Sequence, residues 1–231
     1  MPAKQALLIG NSDGIGLATT RELLKQSWQV TGISRSESSI KNPAYQHYTC
    51  LVQDPQFLET LKSVIEKKEQ IDLCIYCAGI GELLDPTDMK SEVDTLEVNL
   101  LGMVKTASAV IPSMVRNGKG HFIGISSVAD VLLSEKAPGY HASKAGFSIY
   151  LESLAMALRP RGIFVTNVRF GFVDTKLAKG DVKPFMMGTD RAVHHLMKGI
   201  KTKPIQYTAP RIVIPLVKFR NWMLRLKVLF S

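Results

Sequence analysis

The sequence predicts an α/β fold in three layers, a doubly wound parallel sheet with helices on both faces, and three observations carry that expectation. Short apolar, β-branched runs recur along the chain with longer helical patterns between them, an alternation that puts parallel strands in one sheet and their crossovers on its two faces. The first of these runs ends in a glycine-rich turn that opens directly into a helix. With 231 residues, 45% of them hydrophobic, the chain can bury one large core without a second domain.

Ala6–Ile9 reads as a buried strand, followed by Gly10-Asn11-Ser12-Asp13-Gly14-Ile15-Gly16 and an amphipathic helix from about Leu17 to Gln26. Glycines at such a turn let backbone approach a pyrophosphate without Cβ obstruction, and the helix N-terminus offers unpaired N–H groups and a favourable dipole. This is a Rossmann-type opening, expected to be lined by Gly10, Ser12, Gly14, Ile15 and Gly16, with Asp13, a poor neighbour for phosphate, turned to solvent. The second strand, Gln29–Ile33, leads into Ser34 and Arg35. Sites that take NAD usually place an acidic residue at that strand end to hold the ribose hydroxyls. A serine beside a guanidinium instead suits a 2′-phosphate, hence NADP(H) in preference to NAD(H). The alternative is that Arg35 is a solvated loop charge.

Further strands are expected at Ile71–Tyr76, Gly120–Ile125, Ile163–Val168 and near Ile205–Thr208, with long apolar helices at about Ser91 to Met114 and Ala142 to Leu158 whose outer faces carry little charge. No apolar run is read as long enough to span a membrane, and no repeat or low-complexity stretch is present. The opening apolar stretch belongs to a strand and not to a signal peptide, so the expected location is the cytoplasm or the cytosolic face of a membrane. Three cysteines fit a reducing compartment. Cys74 and Cys77 lie three apart on a strand and point to opposite faces, so structural burial is expected and not a shared metal or disulfide. His194 and His195 are read as surface or lid residues.

Tyr140 and Lys144 stand four apart in Tyr-His-Ala-Ser-Lys, with Ser127 thirteen positions upstream. On a helix that spacing places both side chains on one face, where the ammonium favours the phenolate. Bringing a phenol from about 10 to about 7 takes roughly 4 kcal/mol, more than one exposed ion contact supplies, so a second positive charge is needed. An oxidised nicotinamide would provide it.

Together these motifs resemble the short-chain dehydrogenase/reductase family, in its compact single-domain branch, over roughly residues 5 to 200. Gly10, Gly14 and Gly16 match the family's cofactor glycines, Ala78-Gly79 the end of its fourth strand, and Asn99 its catalytic asparagine. Ser127, Tyr140 and Lys144 complete the tetrad, and Gly171, Val173 and Thr175 match the segment that holds the nicotinamide end. Ile9, Leu51 and Tyr76-Cys77 depart from the pattern, in places that brace the turn and hold the adenine, and Tyr76 is expected to fill the lost space.

The resemblance implies hydride transfer between the nicotinamide and a carbonyl or alcohol carbon. Ser127 would orient the oxygen, Tyr140 would protonate it, Lys144 would lower the tyrosine and hold the nicotinamide ribose, and Asn99 would anchor a water. It also implies a homodimer or homotetramer built on the long apolar helices. A different reading keeps the fold and the NADP(H) site in a sensor or scaffold with little turnover. Under either reading residues 1–190 are expected to form the Rossmann-type body with its nucleotide-binding half, catalytic in the first, and 191–231 a C-terminal helix and basic amphipathic tail of the same domain.

That tail carries the whole net charge of +9. Through Asp190 there are 20 basic and 20 acidic residues, whereas from Arg191 onward there are nine basic residues and no acid. If Lys218 to Phe230 is helical, Phe219, Trp222, Met223, Leu226, Leu229 and Phe230 form an apolar stripe edged by Lys218, Arg220, Arg225 and Lys227. An anionic membrane surface fits this pattern. The alternative is a tail folded back over the substrate cleft or onto a partner subunit, burying Trp222. No nucleic acid is expected, since the tail lacks a known binding module. Phe185-Met186-Met187, in a segment read as a lid over Lys176–Asp190, points to an apolar, lipid-like substrate.

Overall fold

The structure is a computed structural model that describes residues 3–68, 70–177 and 185–229. Seven strands form one sheet: β1 Gln5–Ile9, β2 Gln29–Ser34, β3 Tyr45–Thr49, β4 Leu73–Tyr76, β5 Gly120–Ser127, β6 Ile163–Phe170 and β7 Gln206–Ala209. Their order is β3-β2-β1-β4-β5-β6-β7 and every pairing is parallel. The helices are α1 Gly14–Lys25, α2 Phe57–Glu66, α3 Lys90–Leu96, α4 Gly102–Arg116, α5 Pro138–Leu158, α6 Thr189–Thr202 and α7 Val213–Leu229.

Strand alternation divides the core in two. Leu7, Ile9, Cys74 and Tyr76 face the side covered by α2, α4 and α5, while Ala6, Leu8, Leu73 and Ile75 face the side covered by α1 and α6. Cys74 packs in the first of these layers and Cys77 against the second, so the two thiols are separated as their spacing requires. The strand order reverses between β1 and β4, whose C-terminal ends form the crevice where an open α/β sheet receives its ligand.

Three expectations are revised. β3 was not anticipated: Tyr45-Gln46-His47-Tyr48-Thr49 is polar and no residue in it is fully buried, because it is an edge strand that, among the described residues, pairs only with β2. α1 begins at Gly14, where the Asp13 carboxylate accepts from the Gly14 N–H at 2.8 Å and caps the first turn. Lys90–Arg116 is a continuous 27-residue helix, long and apolar enough by length and composition to cross a bilayer, with mean hydropathy 1.4 over an 18-residue stretch of it. Its Met103, Ala107, Val110 and Met114 are buried in the first core layer. His194 and His195 lie on α6, in keeping with the surface alternative; His194 is exposed and the His195 Nδ1 is 3.0 Å from the Tyr207 hydroxyl.

The tail is helical as expected but starts earlier, at Val213. It packs on the protein body with one face and leaves Trp222 56% exposed, so it does not bury that residue within the chain. Phe230 and the 178–184 part of the expected lid lie outside the described residues, and Thr189 and Asp190 belong to α6.

Candidate active site

α5 begins with Pro138 at its first turn, where a missing N–H costs nothing, and the Glu92 carboxylate of α3 accepts the Gly139 N–H at 2.5 Å. This fixes the turn that carries Tyr140. One turn on, Lys144 projects from the same face, its Nζ 5.9 Å from the Tyr140 ring centroid and 4.9 Å from that of Phe147. The ammonium is 3% exposed and donates to the Ile125 carbonyl of β5 at 3.0 Å. Two residues further on that strand, Ser127 accepts from the Ala129 N–H at 3.1 Å and meets the Tyr140 hydroxyl.

Asn99 sits in a π-helical turn, Glu97–Leu101, between α3 and α4, and is fully buried. Its Oδ1 accepts from Ile80 N–H at 2.8 Å, and its Nδ2 donates to Ile80 O and Ser143 Oγ, both at 2.9 Å. The amide is therefore spent on holding the strand-end segment, so its side chain clamps the site in addition to any hold on water. Gly79 lies in that segment, and a Cβ there would stand 3.5 Å from Asn99 Oδ1 and 3.8 Å from Lys144 Nζ. At Gly81 a Cβ would press to 2.8 Å of the Tyr140 ring. Tyr76 fills the core space as expected. Its hydroxyl donates to Val98 O at 2.5 Å and so braces the π turn next to Asn99.

The electrostatics differ from the expectation that Lys144 draws the phenol down. Burial pushes Tyr140 above its ordinary value, the Ser127 hydrogen bond pulls the other way, and the Asp130 carboxylate adds to the rise. Lys144 stands over the ring and is itself brought down to about 8, by burial first, with Asp130 and Cys77 opposing. The Cys77 thiol is pushed up to about 12 by burial and is no nucleophile.

Behind the tetrad lies a charged group that the sequence reading missed. Arg169 Nη2 pairs with Asp130 Oδ1 at 2.5 Å, both residues buried, and Ser148 Oγ donates to Asp130 Oδ2 at 2.6 Å and meets Ser126 Oγ at 2.8 Å. An arginine between Val168 and Phe170 near the end of a buried strand was the available signal, because a buried guanidinium demands a carboxylate.

The residues present fit a nicotinamide dinucleotide. Gly10 has φ +83°, and a Cβ there would come within 2.5 Å of Ala78 N. A Cβ at Gly16 would come within 2.2 Å of Gly10 O, so the helix closes on the turn only without one. Gly14, at φ +53°, faces Thr175 across the cleft at 3.3 Å from the same virtual atom. Ser12 and Ile15 are half-buried in the turn, Val173 is buried and pairs with Met187, and the Gly171 N–H donates to Ala209 O at 3.0 Å. Asp13 is exposed as expected, and its pKa is lowered by Lys176, 2.6 Å away, then by the Gly14 N–H. Ser34 corrects the reading of a free donor: it is 4% exposed and its hydroxyl donates to Ser36 O at 3.0 Å. Arg35 is exposed, and its charge reaches Asp13 across the mouth of the turn.

Known proteins share this arrangement. The family model described as short chain dehydrogenase matches residues 4–184. A 3-oxoacyl-(acyl-carrier-protein) reductase of Buchnera aphidicola is 30% identical over 185 residues, 76% of each chain. A short-chain dehydrogenase from Sphingobium yanoikuyae, solved in complex with NADPH, superposes with TM-score 0.82 at 21% identity, covering 99% of this chain and 95% of that one. One from Burkholderia cenocepacia, solved with NADP, gives 0.83 at 20%, covering 94% and 92%. Members of this family use a nicotinamide cofactor, commonly act on small molecules and often form oligomers. The glycine cradle, the tetrad and the match along most of the chain make this protein an oxidoreductase of the short-chain dehydrogenase/reductase family.

Proposed function

We propose that this oxidoreductase interconverts a carbonyl and an alcohol on an apolar substrate with NADP(H) in preference to NAD(H). The observation that carries the reading is that Ser127 of β5 hydrogen-bonds Tyr140 of α5 while the buried Lys144 ammonium stands 5.9 Å from the Tyr140 ring centroid. When bound, the nicotinamide cofactor supplies or accepts the hydride. In the reducing direction the Ser127 hydroxyl orients the substrate oxygen and Tyr140 gives it a proton, taken up again from Lys144, whose value of about 8 suits a proton source near neutral pH. Gly10, Ser12, Gly14, Ile15 and Gly16 hold the pyrophosphate, and Gly171, Val173 and Thr175 the nicotinamide end. Asn99 keeps Ala78, Gly79 and Ile80 in place beside them.

The cofactor preference rests on Arg35, with no acidic residue at the end of β2, and is supported by NADPH and NADP in the two solved relatives. The apolar substrate rests on the rim. Leu177 reaches toward Gly79, Phe172 follows Gly171, and Phe185 and Met186 adjoin the Val173–Met187 pairing, all 36–49% exposed. Ile149 and Met156, 69% and 71% exposed on α5, supply a face for a homodimer. Three free cysteines favour the cytoplasm. The test is NADPH oxidation by purified protein against aldehydes and ketones graded from small and polar to long-chain. Turnover rising with apolar size supports the reading; tight NADPH binding with no turnover on any compound overturns it in favour of a sensor.

A further inference from the structure

α7 carries two apolar faces. Val213, Val217, Asn221 and Leu224 follow one another at turn spacing and form the inner face, which packs on the 3₁₀ turn Val128–Val131 directly after Ser127. Asn221 Oδ1 accepts the Leu133 N–H at 3.2 Å across that contact. On the opposite side Leu216, Phe219, Trp222, Met223 and Leu229 are 50–75% exposed, with the Phe219 and Trp222 rings 6.0 Å apart. At 3.6 residues per turn Lys218 and Arg225 border this outer stripe on one side and Arg220 on the other. No acidic residue occurs anywhere after Asp190.

We propose that the outer face of α7 is an in-plane anchor that binds the surface of an anionic lipid bilayer. An exposed apolar stripe edged on both sides by basic residues lets the aromatic side chains enter the headgroup boundary while Lys218, Arg220 and Arg225 reach lipid phosphates. A second copy of the chain fits this face poorly, because an isologous contact would set the basic borders of two helices together with no carboxylate to match them. The position of the helix gives the anchor a purpose. Its inner face rests on the turn after Ser127, and its first residue, Val213, lies beside Gly171, so anchor and substrate mouth share a wall. Val131 and Leu133, each 41% exposed, continue the apolar surface between them. Bilayer contact therefore sets the mouth at the lipid surface, where an apolar carbonyl compound resides. That consequence rests on the reductase reading; the attachment itself does not.

The test is flotation of the full chain with phosphatidylcholine vesicles, with and without phosphatidylserine, at low and high salt. The wild type is expected to float with the phosphatidylserine vesicles and to be released by salt. Lys218→Gln/Arg220→Gln/Arg225→Gln should weaken that partitioning about 100-fold, and Phe219→Ser/Trp222→Ser at least about tenfold. Both variants should bind NADPH as the wild type does, which shows that they fold. Absence of flotation, partitioning indifferent to the charges, or an oligomer dispersed by Phe219→Ser/Trp222→Ser would overturn the proposal. Failure of the reductase reading would appear separately, as flotation without turnover.

Discussion

Lys144→Met should make the protein more stable near neutral pH, by an amount set by the cost of keeping an ammonium where this one sits. Lys144 is 3% exposed and titrates at about 8 in place of 10.5. At 1.36 kcal/mol per pKa unit, that depression corresponds to about 3 kcal/mol of folding free energy lost at pH 7. Because the folded value lies below the unfolded one, the unfolded chain holds the extra proton; the cost is complete below about pH 8 and disappears as pH rises through about 10.5. Methionine fills similar space and keeps the contact with Phe147, but it removes the donor to Ile125 O, which takes back about 1 kcal/mol. The net gain is about 2 kcal/mol at pH 7, or roughly 4–8 °C in Tm for a chain of this size. Thermal unfolding followed by circular dichroism should show that gain shrinking to nothing by about pH 10. A variant less stable than wild type at neutral pH, or a gain that does not change with pH, would refute the reasoning.

Two further outcomes follow from the site. Arg35→Ala should reduce a preference for NADPH over NADH of at least about tenfold to near parity, read as the ratio of the two Kd values; equal affinities in the wild type would remove the argument for a 2′-phosphate contact. Tyr76→Phe leaves the buried Val98 carbonyl without its donor and should cost about 1–3 kcal/mol in urea unfolding, with kcat falling because the π turn carries Asn99. Unchanged stability and kcat in that variant would show that the turn stands without Tyr76.

Much of this is legible in the sequence, and the reason is period. Strands that alternate into two core layers, a glycine turn placed straight after β1, and a four-residue spacing on α5 all leave their geometry in the chain order. β3 left no such mark, because Tyr45, Gln46 and His47 stand on a sheet edge where burial does not select apolar residues. The partners of Ser34 and Asn99 were not legible, because a hydroxyl or amide in a sequence does not disclose them. Here Ser36 O takes the first, and Ile80 and Ser143 take the second. Asp130 and Arg169, 39 residues apart, are joined only by tertiary structure. In the tail the stripe was visible, but not the second apolar face that seats α7 on the turn after Ser127.

The measurement closest to the central claim is NADPH oxidation in the presence of an apolar ketone, comparing wild type with Tyr140→Phe, alongside NADPH Kd for both. The account predicts that the variant loses turnover by at least about 100-fold, the scale of a positioned proton donor, while its Kd for NADPH stays within about threefold of wild type. Undiminished turnover in Tyr140→Phe would contradict the account, because the account assigns the proton given to the substrate oxygen to the Tyr140 hydroxyl.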